Sequence, residues 1–142
     1  MNTWVTYYSA TGNTRKVAEA IAKAVGGKAQ ALDVYEPGME PVDVLFLGGA
    51  VYANHGHGLH TALKAFIAGL DPKQVRAVAL FATGFIQSEA ITMMRRSLEA
   101  RGIKVMPEHF FCLGRFALFN MGHPGAKDLA AAAEFAKKMA SS

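Results

Sequence analysis

The chain has 142 residues, 51% of them hydrophobic and 18% charged, with a formal net charge of +4. That length fits one compact domain over residues 1–142, with enough apolar material for a packed core and too much for a disordered segment. No apolar run approaches the ~18 residues of a membrane span, and no basic stretch precedes an apolar one as in a signal peptide. The single cysteine, Cys112, excludes an internal disulfide and points to a reducing, cytoplasmic setting. Basic residues are scattered, with Arg95-Arg96 and Lys137-Lys138 only doublets. The charge therefore reads as solubility rather than as a nucleic-acid surface.

Apolar strands alternate with amphipathic helices along the chain. The pattern predicts a strand β1 over residues 2–8 and a helix α1 over 14–25, stopped by Gly26-Gly27. A strand β2 follows at 29–34, then the turn Glu36-Pro37-Gly38 and a strand β3 at 43–49. The run Val44-Leu45-Phe46-Leu47 has no polar alternation, as expected of a strand buried on both faces of a parallel sheet. Beyond a loop at 50–59 the pattern gives α2 at 60–69, β4 at 75–82, α3 at 88–101, β5 at 103–112 and α4 at 126–140. Five strands alternating with four helices indicate an α/β doubly wound sheet with helices on both faces. Such sheets bind ligands beyond the carboxyl ends of their strands, which singles out the loops 9–14, 50–59 and 83–88.

The first of these loops reads Ser9-Ala10-Thr11-Gly12-Asn13-Thr14, directly between β1 and α1. A helix N-terminus lacks partners for its first N–H groups and carries partial positive charge, so it suits an anion, and a phosphate above all. Gly12 permits positive φ and close approach of the backbone to a ligand. The lysine of a Walker loop and the Gly-x-Gly-x-x-Gly of a dinucleotide fold are both missing. Asn13 or Thr14 capping α1 would account for part of the pattern. Three hydroxyls, an amide and a glycine within six residues exceed what a cap requires.

This hexapeptide resembles the FMN-phosphate loop of flavodoxins, whose pattern is Ser/Thr-x-Thr-Gly-x-Thr. The likeness continues through α1 and, more weakly, over most of the chain. It implies a flavodoxin-like five-stranded parallel sheet of order 2-1-3-4-5, and FMN as cofactor with Ser9, Ala10, Thr11, Gly12, Asn13 and Thr14 at its phosphate. It also implies that Ala50, Val51, Tyr52, Ala53 and Asn54 border the flavin ring, with Tyr52 stacked on one face. The alternative for Tyr52 is cover for the sheet edge. Thr83, Gly84 and Phe85 match the family's third loop, with Phe85 over the other ring face. The family's Gly- and Asp-rich pattern is absent there. Phe85 could equally anchor α3, and Thr83, Gly84 and Ser88 could be ordinary turn and cap residues. No insertion splits β5, which implies a short-chain member.

The implied function is electron transfer from a reductase or low-potential donor to an acceptor enzyme, with no catalytic residue or bound metal of its own. The implied state is a monomer or weak dimer. Typical flavodoxins are acidic, whereas this chain is basic and would suit an acidic redox partner. The alternative is a flavodoxin-fold oxidoreductase with its own quinone or protoporphyrinogen substrate, because the segment from Gly49 to His60 is similar to the corresponding loop of such enzymes. His55, His57 and His60 have the spacing of a metal cluster but no neighbouring cysteine or carboxylate. They read either as contacts to flavin or substrate, or as loop histidines with His60 starting α2. Cys112 reads as a buried apolar residue, and His123-Pro124-Gly125 with Asp128 as the start of the last helix.

Overall fold

The computed structural model describes residues 1–9, 11–50, 59–84, 89–115 and 122–142. Its elements are β1 (Thr3–Tyr7), α1 (Asn13–Val25), β2 (Lys28–Ala31), a 3-10 turn (Leu32–Val34), β3 (Val44–Gly49), α2 (Thr61–Gly69), β4 (Val78–Gly84), α3 (Ala90–Glu99), β5 (Val105–Leu113) and α4 (Ala126–Ala140). The strands form one parallel sheet in the order β2-β1-β3-β4-β5. This is the order that the family resemblance implied.

The central strand explains the layering. Every residue of β3 is buried, because both faces of the sheet are covered. On one side Leu45, Leu47, Val78 and Leu80 pack with Leu63 and Ile67 of α2 and Met94 and Leu98 of α3. On the other, Phe46, Ala79 and Phe81 meet Val17 and Ile21 of α1 and Ala132 and Ala136 of α4. Successive side chains of a strand point to opposite faces, so a single apolar run feeds two cores.

Two glycines at the end of β3 are there for packing. A Cβ on Gly48 would lie 2.1 Å from the Phe81 ring, and one on Gly49 would lie 2.5 Å from Leu63 Cδ1. Helix α1 stops where Gly26 takes a left-handed φ of 67° and its N–H returns to Ala22 O. The C-terminal end of α2 is closed by a distant side chain: Arg101 Nη1 donates to Ile67 O at 2.7 Å and also to Leu70 O. A guanidinium suits the negative end of a helix.

Several boundaries differ from the sequence expectation, and α3, expected over 88–101, spans only Ala90–Glu99; three other shifts have a clear cause. The predicted strand at 29–34 gives way after Ala31 to the 3-10 turn. The predicted start of β4 at 75 is only an isolated bridge between Val75 and Val42, and the ladder with β3 begins at Val78. β5 starts at Val105, although Ile103 is buried. Val75 and Ile103 are apolar because they plug the core from connecting segments, and periodicity alone reads such residues as strand.

Candidate functional site

Strands β1, β3 and β4 are adjacent and parallel, so their carboxyl ends share one edge of the sheet. The order reverses here: the chain runs from β1 to β2 on one side and then to β3 on the other. This brings together Ser9, Thr11, Gly12, Asn13 and Thr14 after β1, Ala50 after β3, and Thr83 and Gly84 at the end of β4. Ala50 is buried, Thr83 is 2% exposed and Gly84 is half-buried, with its carbonyl accepting from Gly114 N–H at 2.8 Å. Ala10, Val51, Tyr52, Ala53, Asn54 and Phe85 lie outside the described residues, as do His55, His57 and Ser88.

Neither Asn13 nor Thr14 caps α1. The N-cap is Gly12, in a left-handed conformation at φ 88°, and no side chain caps the helix. The first helical N–H with a backbone acceptor is that of Lys16, to Gly12 O at 3.1 Å. Among the described residues, the N–H groups of Asn13, Thr14 and Arg15 have no acceptor. The hydroxyl and amide side chains instead brace the loop. Ser9 Oγ accepts from Gly12 N–H at 3.0 Å, and Thr11 Oγ1 accepts from Asn13 Nδ2 at 3.0 Å. Asn13 Nδ2 also donates to Arg115 O at 2.8 Å, tying the loop to the end of β5. Since Ser9 and Thr11 accept in these bonds, each keeps its own O–H to donate.

Thr14 is buried and its Oγ1 lies 2.9 Å from Thr83 Oγ1. When Thr83 is the donor of that bond, the Thr14 proton is free for a further acceptor. No acidic residue stands in the first turn of α1. The loop therefore concentrates donors without a local negative charge, which fits a phosphate group.

A second pair borders this edge. Tyr8 and His60 stack with ring centroids 4.0 Å apart and planes 20° apart. His60 is the N-cap of α2: its Nδ1 accepts from Ala62 N–H at 3.0 Å. In the neutral ring the proton then sits on Nε2, which faces Tyr8 Oη at 3.0 Å. The expectation that His60 starts α2 agrees with this geometry. The Tyr8 contact was invisible to sequence reasoning, although Tyr8 immediately precedes the phosphate-like loop.

Cys112 is buried beside Thr83 in the β4–β5 register. Burial, with a smaller contribution from the Asp128 charge, pushes its thiol up to about 12. It stays protonated at neutral pH and is not a nucleophile. Asp128 Oδ2 accepts from Gly125 N–H at 2.8 Å and pairs with His123 Nδ1 at 2.7 Å. This closes the first turn of α4, the helix-start role expected from sequence.

A family model described as a flavodoxin domain matches residues 4–118. The chain belongs to the flavodoxin family. Proteins of this family bind FMN and act with redox partners. A search of curated proteins finds no match to the sequence. Among solved structures, an archaeal flavodoxin is similar with a TM-score of 0.82 at 17% identity, over 99% of this chain and 97% of that one. Oxidised flavodoxin 2 from Bacillus cereus gives 0.74 at 20% identity, over 99% of each chain. Two-electron reduced flavodoxin from Megasphaera elsdenii gives 0.61 at 22% identity, over 95% of this chain and 98% of that one. At these identities the likeness is one of fold. Among the described residues, no helix is long and apolar enough to cross a membrane.

Proposed function

We propose that this flavodoxin holds one FMN at the carboxyl edge of β1, β3 and β4 and carries electrons from a reductase or low-potential donor to an acceptor enzyme. The observation that carries the reading is the uncapped N-terminus of α1, with Gly12 left-handed and three successive N–H groups lacking an acceptor among the described residues. Those N–H groups, with the O–H protons of Ser9 and Thr11 and, through Thr83, that of Thr14, would hold the phosphate. Ala50, Val51, Tyr52, Ala53 and Asn54 after β3, and Thr83, Gly84 and Phe85 after β4, would border the ring. FMN supplies the redox chemistry when bound; the chain supplies binding, orientation and electrostatics.

The test is a titration of flavin-free protein with FMN and with riboflavin. FMN should bind at least about tenfold more tightly, because hydrogen bonds to a charged group are each worth about 1.5–3 kcal/mol. Equal affinity for the two flavins would remove the phosphate from this loop. Reduction of a quinone by NADPH without any partner protein would favour an oxidoreductase with its own substrate over a carrier.

A further inference from the structure

Helices α1 and α4 pack side by side on one face of the sheet, and their outward surfaces enclose a groove of about 670 Å³. Ala20 and Ala24 of α1 and Leu129 and Ala133 of α4 line its floor, while Lys16, Lys23 and Lys137 stand along it. The small side chains leave room for another backbone to approach closely. The lysines are not equivalent. Lys137 lies 3.6 Å from Glu134, and Glu19, the carboxylate in the groove, is held by Arg15 at 2.8 Å. Lys16 and Lys23 have no ion pair among the described residues. They are both exposed and stand on the same side of α1, two turns or about 10 Å apart.

We propose that this groove docks an acidic amphipathic helix of a partner protein. A helix laid in a groove presents apolar residues at i, i+3, i+4 and i+7. Acidic residues two turns apart on its flank would then meet Lys16 and Lys23. A second copy docked through this same face does not fit, since it would bring lysines against lysines. A lipid surface does not fit either, because interfacial helices insert bulky apolar side chains and this floor is mostly alanine. The proposal rests on the groove and its charges, and it does not require that FMN be bound.

The probe is a helix-forming peptide of about 18 residues with an alanine and leucine stripe flanked by glutamates. Its counterpart carries lysines in place of the glutamates. Both are titrated into isotope-labelled protein, with and without added FMN, and backbone amide shifts are followed. The glutamate peptide should shift resonances of α1 and α4, and its affinity should fall as salt rises. Lys16→Glu with Lys23→Glu should weaken it about tenfold or more. Arg96→Glu with Lys64→Glu, on the helices of the opposite face of the sheet, should leave it within about twofold and so separates the groove from net charge. Absence of shifts at millimolar peptide would overturn the proposal, as would shifts centred on the loops at 9–14 and 83–84. Equal binding of the lysine peptide would also overturn it. So would Lys16- and Lys23-dependent binding to phosphatidylglycerol–phosphatidylcholine vesicles with no response to the peptide, which would make the face a lipid surface. A failed FMN titration with an intact peptide response would sink the cofactor reading and leave this one standing.

Discussion

The hydroxyls of Thr14 and Thr83 lie 2.9 Å apart, and both residues are closed off from solvent. One sits in the first turn of α1, the other near the end of β4. The bond thus joins two of the segments around the candidate site through the interior. Neither residue can lose its hydroxyl without orphaning the other.

Thr14→Val and Thr83→Val should each lower stability by about 1–3 kcal/mol, the cost of leaving a buried hydroxyl unpaired. The double variant should cost less than the sum of the two, with an interaction energy of about 1 kcal/mol. Urea unfolding of the four proteins measures this. Strict additivity would mean that the pair contributes nothing as a pair.

Ser9→Ala combined with Thr11→Val should weaken FMN binding by about tenfold to a hundredfold while leaving riboflavin affinity nearly unchanged. Both residues lie at the surface side of the loop, and Thr11 is exposed, so the fold should tolerate the change. Fluorescence titration with both flavins separates the phosphate contribution from that of the ring. A parallel loss for both ligands would place these hydroxyls elsewhere than at the phosphate.

Gly48→Ala should destabilise the protein more than Gly49→Ala. The added methyl at 48 meets the fully buried Phe81 ring at 2.1 Å, whereas at 49 it meets the terminal Cδ1 of Leu63 at 2.5 Å. A leucine tip can change rotamer more readily than a packed ring can shift. Overpacking of this kind costs about 1–3 kcal/mol, and thermal unfolding of the two variants gives the order. The reverse order would show that β3 gives way at Gly48 rather than the ring resisting.

Asp128 predicts a pH dependence. Burial alone would raise its carboxyl, but the Gly125 N–H bond and the neighbouring His123 outweigh this and hold its pKa below the ordinary value. A carboxylate depressed in the folded state adds stability above the ordinary range near 4, and that stability is lost as pH falls through the folded value. Asp128→Asn should therefore cost about 1 kcal/mol at pH near 7, the usual worth of a helix-start interaction. The gap between variant and parent should close as pH falls below the ordinary carboxylate range. A gap that stayed constant with pH would assign the effect to shape rather than charge.

The doubly wound layering and the donor-rich loop were legible for physical reasons, whereas the strand order 2-1-3-4-5 came from the family resemblance alone. The unbroken apolar run of β3 requires two covered faces, and the loop before α1 has more donors than a cap uses. Thr14 with Thr83, Asn13 with Arg115 O, Tyr8 with His60 and Arg101 with the end of α2 were not legible. Each joins residues that are far apart in sequence, and each is built from a residue type with an ordinary local explanation. The Thr14–Thr83 pair carried one usable signal: Thr14 opens the helix after β1 and Thr83 stands near the end of β4, so both fall at the carboxyl edge of the sheet, where a buried hydroxyl needs a partner. The boundary errors at Val75 and Ile103 have the opposite origin, since local apolarity there reflects plugging of the core rather than strand pairing.

The place of β1 in the sheet bears on when the site comes into being. Its pairing with β2 closes locally through α1, but its pairing with β3 joins Asn2 to Asp43 across 41 residues. Closing that loop costs only a little more entropy than closing a shorter one, yet non-local pairings of this kind slow the folding of a whole chain. The open N–H groups of α1 belong to the first βαβ segment, whereas Ala50 and Thr83 beside them come from β3 and β4, which follow later in the chain. A flavin that needs both halves would discriminate between unfinished and finished molecules, binding the latter and drawing the folding equilibrium toward them.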